Sequence, residues 1–171
     1  MKNNGRNNNN LAQRTLYYNV GIYIPNKCRG VTVVRLSKNF DSNEFTYSVT
    51  AQANKINNAP SIEIINNLKA LCENVLQPLR NHLGCAVKIT SGYRCKALNA
   101  KVGGQSNSQH LTGNAADFIV PAKNLKDVFN YIKNNLVYDQ LLYEYNSKGD
   151  IWIHVSYVRN RMQAIDNYKS N

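Results

Sequence analysis

The chain has 171 residues, enough for one domain whose core needs no covalent staple. Apolar residues make up 43% and aromatics 9%, as in a folded protein, and no run approaches the 18 apolar residues that would suggest a membrane span. The net charge is +11, but the basic residues are scattered with no block of five, so charge alone suits nucleic acid and other anionic surfaces alike.

In chain order, the first 13 residues, MKNNGRNNNNLAQ, are basic and asparagine-rich. They have little to bury and no apolar segment of a secretory signal, so a disordered start without a signal peptide is expected. Two strand-like runs, 15–24 and 30–36, flank Pro25-Asn26-Lys27-Cys28-Arg29 and predict a hairpin, either an added sheet edge or a docking piece for a larger assembly. Asp41 with Glu44 three positions on is a capping box that starts a short helix. A longer helix is predicted over 61–82. Its Ile64, Ile65, Leu68, Leu71, Val75, Leu76 and Leu79 recur at threes and fours, and Gly84 stops it. Pro78 lacks an amide donor and should bend or loosen the last turn.

A strand over 85–90 then ends in the turn Ser91-Gly92-Tyr93-Arg94, and a short helix over 96–101 leads into Gly103-Gly104. That loop lacks the lysine-serine ending of a phosphate cradle. A strand over 114–120 closes at Pro121, and a helix over 123–135 turns Leu125, Val128, Phe129 and Ile132 inward. Strands over 138–145 and 151–157 form a hairpin about Asn146-Ser147-Lys148-Gly149, and the polar tail 158–171 is expected to be loose. Helices gathered around a mainly antiparallel sheet define an α+β fold.

Four cysteines, Cys28, Cys72, Cys85 and Cys95, make neither a CxxC pair nor a dense framework and read as free thiols. None stands in a motif that would place it beside a histidine and an orienting partner, which argues against a thiol nucleophile. The richer chemistry is elsewhere. His110 and Asp117 are seven positions apart, and His154 sits in the run Ile151-Trp152-Ile153-His154-Val155. Two imidazoles and a carboxylate are the donors of a catalytic zinc site that keeps its fourth position open. The plainer reading is a loop histidine, an aspartate bonding a turn, and a strand histidine satisfied in the core. Strand alternation puts Trp152, His154 and Ser156 on one face and Ile151, Ile153 and Val155 on the other, which suits a cleft backed by a core. A hydrolase also needs a general base. Asp150 shares the His154 face but lies about 13 Å along the strand. Glu144 reaches the site if the hairpin sets it opposite Trp152, whereas a register pairing Tyr145 with Asp150 turns it away.

From Leu36 to Tyr157 the sequence carries LSKNF and EF at 36–45, ENVLQPLR at 73–80, ITSGYR at 89–94, LNAKVGG at 98–104, SQHLTGNAAD at 108–117, YDQLLYE at 138–144 and WIHVSY at 152–157. In this order the blocks resemble the M15 zinc peptidases, the D-alanyl-D-alanine carboxypeptidase and murein endopeptidase group, including its phage-type branch. The resemblance implies a DD-peptidase (hedgehog-like) fold over 36–157, with 1–35 and 158–171 outside it. It implies zinc held by His110, Asp117 and His154, and Glu144, within the matched YDQLLYE block and reached through the hairpin register, is the expected base. Arg94 would supply charge to a carbonyl oxygen or a substrate carboxylate, with Ser108 and Tyr93 lining the pocket. Some relatives carry an acid three residues before the second histidine, where this chain has Ile151. The implied substrate is a D-alanine-containing peptidoglycan stem peptide, cut as a carboxypeptidase or an endopeptidase by a phage lysin or virion-associated enzyme. Its place would be the virion or the host cell envelope, with 1–35 a candidate contact to a virion or tail assembly and with no nucleic-acid partner. The alternative is a non-catalytic wall-binding or virion structural module that retains the zinc site.

Overall fold

The structure is a computed structural model that describes residues 33–170. The expected disordered start, and nearly all of the expected 15–36 hairpin, lie outside the described residues. Helix α1, Ser42–Thr46, begins as the sequence anticipates: the Asp41 carboxylate accepts from the Asn43 amide at 2.9 Å, and Glu44 accepts from the Asp41 amide at 3.0 Å. A short helix α2, Val49–Ala53, follows, capped by Ser48. The sequence reading did not include it.

Helix α3, Ile62–Leu71, starts at the Ser61 cap and runs through a π-helical turn, Cys72–Leu76, into α4, Gln77–Leu83. The wide turn is where Pro78 exerts its effect. Proline offers no amide to the carbonyl four residues back, and one extra residue per turn just before it lets the Gln77 amide reach Cys72 instead. Ile65, Leu68, Leu71, Cys72, Val75, Leu76 and Leu79 are all buried, so the apolar stripe survives the change of pitch. Gly84 ends the helix at φ +65°, a conformation glycine adopts without strain.

The sheet contains β1 (Lys88–Ser91), β2 (Ala115–Ile119), β3 (Gln140–Tyr145), β4 (Ile151–Ser156) and β5 (Gln163–Lys169), in the order β1-β2-β4-β3-β5. Helix α5, Lys96–Lys101, and a 3₁₀ turn, Gln109–Thr112, lie between β1 and β2, and α6, Leu125–Asn135, lies between β2 and β3. Ala116, Phe118, Leu141, Ile153 and Val155 point to one side and join the α3–α4 stripe and the Val128, Phe129 and Ile132 face of α6 in one core. The alternate residues Asp117, Leu142, Glu144, Trp152 and His154 face a cleft on the other side.

Two expectations change here. The sheet is mixed and not mainly antiparallel, because β5 runs parallel to β3, from Gln140↔Gln163 to Tyr145↔Lys169. The tail is also not loose along its length. After β4 the chain passes the start of β3, where the Met162 and Gln163 amides donate to the Tyr138 and Asp139 carbonyls, and then covers the open edge of β3. An uncovered strand edge presents unpaired amides and carbonyls, and a polar segment can satisfy them as well as an apolar one. Lys126 of α6 pairs with Asp166 and holds β5 from the helix side. Among the described residues no helix is long and apolar enough to cross a membrane.

Candidate metal centre

Three elements deliver the three donors. The antiparallel β2–β4 register sets Asp117 directly opposite His154, so one carboxylate and one imidazole project side by side into the cleft. His110 comes from the 3₁₀ turn just before β2, and Gly113 closes that turn at φ +71°. A Cβ at Gly113 would approach the Ile64 side chain and carbonyl to 2.9 Å, so a side chain there would push the turn off α3. The β1–β2 pairing shifts register between Ile89 and Ser91, bringing Ser91 opposite Asp117. Such irregularities re-aim side chains beside a site.

The donor atoms form a tight triangle. His154 Nδ1 lies 2.8 Å from Asp117 Oδ1, His110 Nε2 lies 3.3 Å from the same oxygen, and the two ring nitrogens are 3.2 Å apart. A tetrahedral ion with ligands at about 2.0–2.1 Å spaces them roughly 3.3 Å apart, so the triangle fits one small cation. His110 Nδ1 faces the Gly92 carbonyl at 2.7 Å. A proton on Nδ1 satisfies that carbonyl and leaves the Nε2 lone pair aimed into the triangle, as expected of a metal-binding imidazole held by an outer partner. Gly92 itself has no room for a Cβ, which would lie 2.5 Å from the Phe45 carbonyl oxygen. The backbone that orients His110 is thus pressed against α1. Burial alone would raise the Asp117 carboxyl, but the charge and hydrogen bonds of His110 and His154 outweigh it and hold Asp117 well below the usual range. It is therefore an anionic donor.

Glu144 lies on β3 opposite Trp152, and Leu142 is opposite His154. This is the register that turns Glu144 into the cleft, diagonal to His154 at roughly 7–8 Å between backbones. Glu144 is 7% exposed, and its carboxyl is raised by burial and by the negative charge of Asp117. Asp150 lies apart from this group. It closes the β3–β4 turn, accepting from the Asn146 side-chain amide at 2.9 Å, and does not line the cleft.

Arg94 enters from the turn after β1, and its amide donates to the His110 carbonyl at 3.2 Å. Its Nη2 reaches the Ser108 hydroxyl at 3.4 Å, and both residues line the cleft. Among the described residues the buried Nε of Arg94 has no acceptor. Burial lowers the pKa of its guanidinium, and the nearby Asp117 and Glu144 carboxylates act the other way. An unpaired buried donor costs about 1–3 kcal/mol, so this site favours a ligand that brings an oxygen. Tyr93 is not brought to the cleft. It packs against the core cluster while its carbonyl accepts from Asn58, and burial raises its phenol.

A further network escaped the sequence reading. Asp139, fully buried just ahead of β3, accepts from Arg161 Nε at 2.8 Å, Arg161 Nη2 at 3.0 Å and Gln109 Nε2 at 2.6 Å. It joins the residue next to His110 to the segment leading into β5. The available signal was a lone carboxylate just ahead of the strand that carries Leu141 and Leu142, since buried carboxylates require partners. The Gly103-Gly104 loop, in contrast, is braced from within, with Gly104 lying against Asn99, which also holds the Gln105 carbonyl. Cys72, Cys85 and Cys95 are free, and burial pushes the Cys72 thiol far up, which leaves it inert.

A three-donor site of two imidazoles and one carboxylate, beside a raised carboxyl and a half-satisfied arginine, is the equipment of a metal-assisted hydrolase. The sequence agrees at the level of family. The model of the family described as Peptidase M15 matches residues 38–156, and the chain belongs to that family. No curated protein matches the chain.

Proposed function

We propose that this protein is a zinc-dependent peptidase that hydrolyses D-alanine-containing stem peptides of peptidoglycan, as a carboxypeptidase or an endopeptidase. The observation that carries the reading is the convergence of His110 Nε2, Asp117 Oδ1 and His154 Nδ1 within 2.8–3.3 Å of one another in a cleft of a Peptidase M15 chain. Those three residues would hold the ion, whose bound form supplies Lewis acidity for a carbonyl and for the ionisation of water. Glu144 takes the proton from the attacking water and returns it to the leaving amine, and burial raises its carboxyl above the ordinary glutamate range. Arg94 directs its unpaired Nε and its charge at the carbonyl oxygen or at a terminal carboxylate. Ser108 fixes the guanidinium from one side.

The net charge of +11 suits an anionic wall. The phage-type resemblance extends the reading to a lysin or virion-borne enzyme acting at the host envelope, with residues 1–35 as its contact to a virion assembly. The test is mass spectrometry of defined peptidoglycan fragments after incubation with zinc-loaded protein, with and without a chelator. New termini that vanish with chelation support the peptidase and name the bond. Intact fragments from several wall types, with zinc bound in stoichiometric amount, would overturn it in favour of a wall-binding module.

A further inference from the structure

The family match ends at residue 156, but the cleft does not. Val158, Arg159, Arg161, Tyr168 and Ser170 also line it, and Tyr168 stands beside Glu144 across the β3–β5 pairing. The cleft measures about 760 Å³, within the range of sites that enclose a sizeable ligand. The wall is held on three sides: β5 pairs with β3, Lys126 pairs with Asp166, and Arg161 grips the buried Asp139 through two nitrogens. The Ser170 amide also donates to the Tyr145 carbonyl at 2.9 Å, and the Ser170 side chain helps offset the upward pressure on the Glu144 carboxyl.

The charges along this cleft do not cancel. Asp117 and Glu144 are answered by the metal site and by Arg94, and Arg161 is answered by Asp139. Arg159 lines the cleft, is exposed, and makes no hydrogen bond or ion pair among the described residues. A guanidinium with five donors, carried on the link between β4 and β5 and lining a ligand cleft, is suited to bidentate recognition of a carboxylate.

We infer that the 158–170 segment, which lies beyond the family match, is a substrate-binding wall, and that Arg159 selects peptides carrying a free carboxylate away from the bond that is cut. This rests on the peptide-hydrolysing reading of the metal cleft. It adds a preference among peptides: a free side carboxylate is favoured over the same group as an amide.

The experiment uses the full zinc-loaded chain and two synthetic stem peptides that differ only in a free or an amidated side carboxylate. Affinities are measured by titration in a Glu144→Gln background and turnover in the otherwise native chain, each with Arg159, Arg159→Ala and Arg159→Lys. Native Arg159 is expected to favour the carboxylate peptide about tenfold in affinity and in KM, as one charge-assisted contact supplies. Arg159→Ala should bring that ratio to near one without lowering kcat, and Arg159→Lys should restore part of it. A ratio unchanged by Arg159→Ala, or absent in the native chain, overturns the inference. Loss shared equally by both peptides would show that Arg159 only supports the wall, and would overturn it too. If the peptides bind with an Arg159-dependent preference but are not cut, the recognition stands and the peptidase reading fails.

Discussion

The two walls of the cleft are built on different physical plans. The metal wall takes its donors from two adjacent strands and a tight turn, so the covalent chain and the β2–β4 register set them within 3.3 Å of each other. The β5 wall is placed by contacts distant in sequence: a parallel strand pairing, an exposed ion pair with α6 and one buried carboxylate. The comparison separates chemistry from selection. A reacting group tolerates little misplacement and sits where the backbone is most constrained, whereas a wall that chooses among ligands can rest on fewer contacts.

Removing a donor should have the largest effect. His154→Ala leaves Asp117 and His110 as a two-ligand remnant, and zinc content after dialysis should fall below stoichiometric. Peptide hydrolysis should drop by on the order of 10³-fold or more, the loss of several kcal/mol of transition-state stabilisation. Retained zinc with retained activity would remove the ligand assignment.

Glu144→Gln tests the base on the same wall with the metal kept. Turnover is expected to fall by roughly 10²–10⁴-fold at unchanged zinc content. The pH profile gives a second reading. Burial and the charge of Asp117 raise the Glu144 carboxyl, a bound cation acts the other way, and the base works only when ionised, so native activity should rise with pH through the titration of Glu144. That rising limb should disappear in the residual activity of Glu144→Gln. If the limb persists unaltered, the proton is carried by another group.

The two walls also differ in how much of them the sequence reveals. His110, Asp117 and His154 are identifiable from donor chemistry and from the blocks around them. The placement of Glu144 needed only the hairpin register, which the turn at 146–149 leaves as a choice between two faces. The α3–α4 stripe is legible because apolar spacing outlasts a local change of helix type, although Pro78 announces only a disturbance and not its π-helical form. Tyr93 packs on the core cluster and does not line the cleft, a side-chain direction that its place in a turn leaves open. β5 was missed for a related reason. Its sequence, Gln163 to Lys169, is mostly polar, and its strand state comes from the open edge of β3 rather than from its own propensity.

Asp139 is where the two walls meet, and it allows the smallest and most specific perturbation. Asp139→Ala leaves the Gln109 amide and the Arg161 guanidinium without their acceptor, so unfolding free energy should fall by roughly 2–3 kcal/mol, and Tm with it. The acid dependence identifies the cause. The Arg161 hydrogen bonds hold the Asp139 carboxyl down to about 2 against the effect of burial, with the Gln109 side chain assisting. The folded value is thus below the unfolded one of about 3.9, so the stabilisation is complete above that pH and is lost as pH falls through about 2. Chemical denaturation of native and Asp139→Ala protein at pH 6 and near pH 2.5 should show a gap that narrows at the lower pH. A gap of constant size would mean that Asp139 acts by shape alone, and that the β5 wall is held by its strand pairing and not by this carboxylate.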